Sequence, residues 1–240
     1  TPAGMINSIG LPNPGLDGFL AGDLNRLVEL PVPLIVSVMA SSAEHFIELV
    51  EGVSAVEGVA GIELNVSCPN VHSGLIVGEQ PDETLALMDK LRPRTSLPLI
   101  VKLTPNVANP DRIAVAAEEG GADAVSLINT VKAAGIDPNH NRTWLGVGAG
   151  GLSGPAVRPI ALAQTRTVSS AVQIPVIGMG GITDGESALE FILAGATVIA
   201  VGTENFRDPA AGNAVRDGLG AALARRGFDS LAAAQTSTLS

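Results

Sequence analysis

A chain of 240 residues with 46% hydrophobic and 16% charged side chains has the material for a sizeable buried core. Its 24 acidic and 14 basic residues give a formal net charge of −10, which argues against nucleic acid and anionic membranes as partners. The single cysteine excludes an internal disulfide framework and suits a reducing cytoplasm, and there is no apolar run of the roughly 18–20 residues that a membrane span needs.

Residues 3–15 read as a loop dense in Asn, Gly and Pro, and residues 16–30 as an amphipathic helix. Apolar runs at 33–39, 61–66, 97–103, 122–128, 174–179 and 197–201 predict strands. Helical spacing predicts helices over 43–57, 82–94, 110–119, 155–172 and 185–194, with a last one over 210–226. Strand–helix alternation of this kind means a parallel sheet with helical crossovers. Polar residues and glycines collect at the C-terminal end of nearly every strand: Ser37, Asn65, Lys102, Asn129, Gly180 and Gly202 among them. An open doubly wound sheet lines its ligand only near a switch point, whereas a (β/α)8 barrel uses every strand end. The expected fold is therefore an α/β TIM barrel, with about six of the eight strands in this sequence.

The stretch at residues 61–70, Gly-Ile-Glu-Leu-Asn-Val-Ser-Cys-Pro-Asn, begins as a buried strand and ends as something else. Asn65, Ser67, Cys68 and Asn70 crowd polar groups onto the strand end, and Pro69 removes a backbone donor. Buried amides cost free energy unless hydrogen-bonded, so the asparagines on either side of Cys68 point to a ligand. A lone Cys can equally be a small buried hydrophobe, but the turn after a strand is where α/β proteins place chemistry. Lys102, inside an apolar run, reads either as a cation beside a flavin or an oxyanion or as one half of a buried ion pair. Gly180-Gly181 and Gly202-Thr203 end the last two strands, where backbone N–H groups can wrap a phosphate. A third glycine cluster, at residues 146–154, opens the helix before them and is expected at the same ligand. His45 reads as a surface residue, His140 as a solvated loop residue and His72 as a weak substrate candidate; no metal site is expected.

Seven segments in register carry a resemblance to a family: Ala-Gly-Met-Ile-Asn-Ser-Ile-Gly-Leu-Pro-Asn (3–13), Asn-Val-Ser-Cys-Pro-Asn (65–70), Val-Lys-Leu-Thr-Pro-Asn (101–106), Ile-Asn-Thr (128–130), Gly-Gly-Leu-Ser-Gly-Pro-Ala (150–156), Gly-Met-Gly-Gly-Ile (178–182) and Val-Gly-Thr (201–203). The sequence resembles the dihydroorotate dehydrogenases, most of all the cytoplasmic class 1B catalytic subunits. The resemblance implies a single FMN-binding barrel domain over residues 1–240, N-terminally incomplete, that oxidises (S)-dihydroorotate to orotate in pyrimidine synthesis. It makes Cys68 the catalytic general base. It assigns Asn7, Ser8, Ile9, Gly10, Leu11, Asn65, Asn70, Asn129 and Thr130 to the substrate. Ser37, Asn65, Lys102, Ile128, Gly154, Gly180, Gly181, Gly202 and Thr203 are assigned to FMN. It further implies a homodimer that works with an FAD and iron–sulfur electron-transfer subunit.

The departures are as specific. The family's upstream segment, with its first two strands, an Ala-Ser-Gly flavin contact and a Thr-Lys, is not in this sequence, and the chain alone is expected to bind FMN weakly and turn over poorly. Ser37 stands where many members carry Asn, and Glu204 stands where Ala is common, adding negative charge near the phosphate residues. The competing readings are a flavin enzyme like the dihydropyrimidine dehydrogenases, which shares the Cys loop, an inactive FMN-binding fragment, and a barrel acting on phosphorylated metabolites.

Overall fold

The computed structural model of the chain describes residues 1–67 and 77–237. In chain order its strands are β1 (Met5–Asn7), β2 (Leu34–Val38), β3 (Val59–Asn65), β4 (Leu99–Lys102), β5 (Ala124–Leu127), β6 (Val131–Ala133), β7 (Ile136–Asp137), β8 (Arg142–Thr143), β9 (Gly150–Ser153), β10 (Val176–Met179) and β11 (Val198–Ala200). Its helices are α1 (Gly15–Ala21), α2 (Asp23–Leu27), α3 (Ala43–Ser54), α4 (Pro81–Leu91), α5 (Pro110–Glu119), α6 (Arg158–Ser169), α7 (Gly185–Leu193), α8 (Glu204–Arg207), α9 (Ala211–Arg225) and α10 (Leu231–Gln235). The six strands expected from the apolar runs are all present as β2, β3, β4, β5, β10 and β11.

The helix expected over 16–30 is instead two short helices. Gly22 leaves helical geometry at φ −114° and ψ −96°, ending α1 and starting α2. The strands β1, β6 and β9 were not visible in the apolar pattern. They form a small antiparallel sheet in the order β1-β9-β6, and β7 and β8 form a two-stranded hairpin.

The chain divides into two compact units. One comprises Thr1–Ser8, Thr104–Asp111 and Ser126–Ser240; the other comprises Ile9–Leu103 and Arg112–Val125. In the second of these, β2 pairs with β3 and β3 with β4, all parallel. Alternation along the strands divides them into two faces. Val36 and Val38, Ile62 and Leu64, and Leu99 and Val101 are buried, as are Phe46, Val50 and Val53 on α3 and Leu87, Met88 and Leu91 on α4. Those helix positions recur every three or four residues, which gives each helix one apolar stripe. The opposite strand face carries Ser37, Glu63, Asn65 and Lys102. Arg92 locks the start of β4: its guanidinium donates to Asp123 Oδ2 at 2.7 Å and to the carbonyls of Thr95 and Leu97, while Asp123 Oδ2 accepts from Leu99 N at 2.8 Å.

In the unit containing Ser126–Ser240, β10 and β11 pair in parallel. α7 lies against α9, where Gly185 and Gly218 bring the two backbones so close that a Cβ on Gly185 would collide with Gly218. α7 begins at a capping box: Asp184 Oδ1 accepts from Ser187 N at 2.8 Å, and Ser187 Oγ accepts from Asp184 N at 3.0 Å.

Candidate active site

In the unit holding β2, β3 and β4, the register sets Ser37 opposite Glu63 and Asn65 opposite Lys102. Ser37 Oγ donates to Glu63 Oε1 at 2.9 Å, and Lys102 Nζ lies 3.4 Å from the same oxygen. The Lys102 and Glu63 side chains are only 22% and 15% exposed. At that separation and an effective dielectric near 20, the Coulomb attraction is roughly 5 kcal/mol. Desolvating two ions costs several kcal/mol each, so the pair contributes little net stability and mainly fixes where the charges sit. Lys102 therefore forms an ion pair, one of the two readings that its place in an apolar run left open. Its partner, Glu63, escaped the sequence reading. A carboxylate two positions before Asn65 on the same strand face was the available signal.

Asn65 Oδ1 accepts from Ser67 N at 3.3 Å, and Ser67 Oγ donates to the Lys102 carbonyl at 3.3 Å. The chain leading to Cys68 is thus tied to both β3 and β4. At residues 77–79 it resumes in a short 3-10 turn, where a Cβ on Gly78 would meet the Val66 carbonyl at 2.5 Å. Cys68, Asn70 and His72 lie outside the described residues. A cavity of about 490 Å3 in this unit brings Ile9, Gly10 and Leu11 together with Ser37 and Asn65. Its size falls in the range of small-molecule sites. Ile9 and Leu11 are exposed, at 77% and 53%. His45 is exposed on α3, as expected.

The other unit carries a second cluster. Ile128 follows β5, and its N–H donates to the Met179 carbonyl at 2.9 Å. Asn129 Oδ1 accepts from Thr130 N at 2.8 Å. Asn106, to which sequence reading gave no role, braces this segment: its Nδ2 donates to the Thr130 carbonyl at 3.1 Å and its Oδ1 accepts from Lys132 N at 2.9 Å. Asn7 lies opposite Gly151 across the β1/β9 pair, and Ser8 follows it on an exposed stretch. Gly151 is closed in by Thr130, where a side chain would strike Oγ1.

Gly154, Gly180 and Gly181 all have positive φ, at 89°, 130° and 81°, which side chains other than hydrogen rarely adopt. A Cβ on Gly180 would sit 3.1 Å from Ile128 Cγ1; one on Gly181 would sit 2.8 Å from the Gly154 carbonyl; one on Gly154 would lie 3.5 Å from Thr203 Cγ2. Ile128, Gly154, Gly180, Gly181 and Thr203 are therefore neighbours. Gly202 faces open space, with nothing within 4 Å of an added Cβ. Among the described residues, the backbone N–H groups of Gly180, Gly181, Gly202 and Thr203 donate no turn or loop hydrogen bond. Successive backbone donors at glycine turns fit an anionic phosphate. The negative charge expected from Glu204 is largely countered: Arg207 Nε donates to its Oε1 at 2.6 Å, and the Glu204 side chain is only 10% exposed. This contact also raises the pKa of Arg207. His140 sits in the β7–β8 hairpin, with Nδ1 2.6 Å from Asp137 Oδ2 and the side chain 66% exposed.

A parallel α/β fold with polar side chains and glycines at its strand ends belongs to the α/β-barrel class, in which strand ends are where sites are built. The family model described as dihydroorotate dehydrogenase matches residues 1–223, and the chain belongs to this family. The catalytic subunit of dihydroorotate dehydrogenase B (NAD(+)) from Lachnoclostridium phytofermentans is 48% identical over 220 residues, covering 91% of this chain and 73% of that one. The same subunit from Desulforudis audaxviator is 47% identical over 229 residues, covering 95% of this chain and 75% of that one. A solved structure, the dihydroorotate dehydrogenase of Eimeria tenella in complex with ferulenol, superposes with a TM-score of 0.77 over 97% of this chain and 70% of that chain at 22% identity, which shows the shared fold. No helix among the described residues is long and apolar enough to cross a membrane.

Proposed function

We propose that this chain is the catalytic subunit of a cytoplasmic enzyme that oxidises (S)-dihydroorotate to orotate with FMN. What carries the reading is family membership over residues 1–223 together with the glycine turns of Gly180, Gly181 and Gly202-Thr203, the residues to which the family resemblance assigns the FMN phosphate. The reaction removes a proton from C5 of the substrate and a hydride from C6, leaving a C5=C6 double bond. FMN, when bound, supplies the acceptor for that hydride at N5. Cys68 takes the C5 proton on Sγ; a thiol is a workable base once its pKa falls toward the working pH. Asn65, Asn70, Asn7 and Asn129, with Thr130, are assigned to the substrate carboxylate and ring amides, because an amide side chain both donates and accepts. Ser8 and the backbone of Ile9, Gly10 and Leu11 are assigned to the substrate as well. Lys102 contributes a cation for the flavin ring, beside Ser37 and Asn65, and Ile128 an apolar contact. The N–H groups of Gly180, Gly181, Gly202 and Thr203 hold the phosphate.

The relatives are named catalytic subunits of an NAD(+)-linked enzyme, which supports a separate partner subunit; by the family resemblance that subunit carries FAD and an iron–sulfur centre and joins a homodimer of this chain. The test is an anaerobic titration of the FMN-loaded chain. Bleaching of the flavin absorbance by dihydroorotate, and not by dihydrouracil, is the expected result. Bleaching by dihydrouracil alone would replace this reading with a dihydropyrimidine dehydrogenase-like one, and no bleaching by either would remove dihydropyrimidine oxidation altogether.

A further inference from the structure

Glu63 has no part in the reading above, yet it is the residue on which the polar strand face converges. Its Oε1 accepts from Ser37 Oγ on β2 and pairs with Lys102 Nζ on β4, so one carboxylate oxygen on the middle strand ties the two flanking strands. The three residues stand on the same face as Asn65, at the C-terminal ends of their strands. A lysine has four rotatable bonds and a compact, freely oriented ammonium group, so a cation meant to act at a fixed point needs a fixed partner. A carboxylate at that partner position has a second consequence: it offsets the positive charge the lysine presents.

We infer that Glu63 is the positioning residue of the site, holding the Lys102 ammonium in place and setting how much positive charge it shows to the cofactor. The inference rests on the proposal that Lys102 faces a flavin, and it goes further by making the flavin's electron affinity depend on a residue one strand away. With Glu63 in place, the site presents an ion pair. With Glu63 neutralised, it presents a bare cation, which favours adding electrons to the ring. Ser37 is the lesser arm, since its neutral hydroxyl only steadies the carboxylate.

The test compares wild type with Glu63→Gln, Glu63→Asp, Ser37→Ala and Lys102→Gln in the FMN-loaded full chain, by redox titration and by NMR of 13C-labelled lysine. The chain has only Lys90, Lys102 and Lys132, so three lysine signals are expected and Lys102→Gln identifies the one that matters. Glu63→Gln should move the Lys102 signal and leave the other two. It should also shift the flavin equilibrium toward the reduced form about tenfold, about 30 mV for a two-electron couple. Lys102→Gln should shift it the other way, Glu63→Asp should restore part of the change, and Ser37→Ala should have the smallest effect. If Glu63→Gln leaves both the Lys102 signal and the flavin potential as in wild type, the inference is wrong. Should Glu63→Gln not fold, Glu63→Asp, which shortens the reach by one methylene, must move the Lys102 signal or the inference falls. Wild type that takes up no FMN would defeat the flavin reading, while the lysine signals would still decide whether Glu63 holds Lys102.

Discussion

The two clusters, one in each unit, are built by opposite means. On β2, β3 and β4 the cluster is made of side chains: a hydroxyl, a carboxylate, an amide and an ammonium, the charged pair mostly buried and bonded. Around Gly154, Gly180, Gly181 and Gly202 side chains are left out, so that the backbone itself would be the proposed binding surface. The first kind of site tolerates changes of packing and fails when a functional group is deleted. The second is indifferent to functional groups and fails when an atom is added.

That contrast breaks most sharply at Cys68. Cys68→Ala deletes the proposed base and nothing else, so flavin reduction by dihydroorotate should slow by about 10²–10⁴-fold in stopped-flow, the usual contribution of a general base. FMN affinity should stay within about twofold of wild type, far less than the tenfold step that 1.4 kcal/mol would give. Gly181→Ala should do the reverse. The added methyl meets the Gly154 carbonyl at 2.8 Å and Arg158 Cβ at 2.9 Å on a backbone with φ of 81°. Strain of this kind costs on the order of 1–3 kcal/mol, and fluorescence titration should show FMN binding weakened correspondingly. A Cys68→Ala chain that loses FMN, or a Gly181→Ala chain that binds it normally, would erase the distinction.

The same contrast explains what the sequence disclosed. The strand ends around Lys102 and Asn65 were readable because a charge or amide in an apolar run is chemically conspicuous. Glu63 lay in the same run and was missed, because a single acidic residue in a strand names no partner; only the register of β3 against β2 and β4 does. The glycine turns at 180–181 and 202 were readable because glycine pairs after strands are uncommon without a backbone reason. The β1-β9-β6 sheet was not, since Met5–Asn7 and Gly150–Ser153 have almost no apolar alternation and pair across most of the chain's length. Helix breaks such as Gly22 depend on local backbone geometry that amphipathic spacing overrides on paper but not in the fold.

A smaller effect sharpens the side-chain cluster. Lys102→Gln leaves the Glu63 carboxylate facing an amide in place of a cation, in a setting where it is 15% exposed. Removing one partner of a buried charged contact typically costs roughly 1–3 kcal/mol, and urea unfolding should show a loss in that range. The same substitution at Lys132, whose residue is exposed in β6, should leave stability within about 0.5 kcal/mol of wild type.

The smallest effect belongs to the helix that follows the glycine turn. Asp184 caps α7 through Ser187 N at 2.8 Å, and that backbone hydrogen bond, followed by the Ser187 hydroxyl, pulls its carboxyl below the ordinary value of 3.8. A carboxyl whose folded-state pKa is depressed stabilises the fold fully above the unfolded-state value, and the contribution is lost as pH falls through the folded-state value. Asp184→Ala should therefore cost about 1 kcal/mol at neutral pH, the usual value of a lost N-cap. The gap between mutant and wild type should stay constant down to about pH 4, near the unfolded carboxylate's own pKa, and close below it as wild type itself loses the charged cap. FMN affinity should not follow, because the positive φ of Gly180 and Gly181 and their packing on Ile128 and Gly154 set the turn without help from the cap. If FMN binding weakened in step with stability, the glycine turn would be shaped by the helix behind it, and the backbone cluster would rest on a side chain after all.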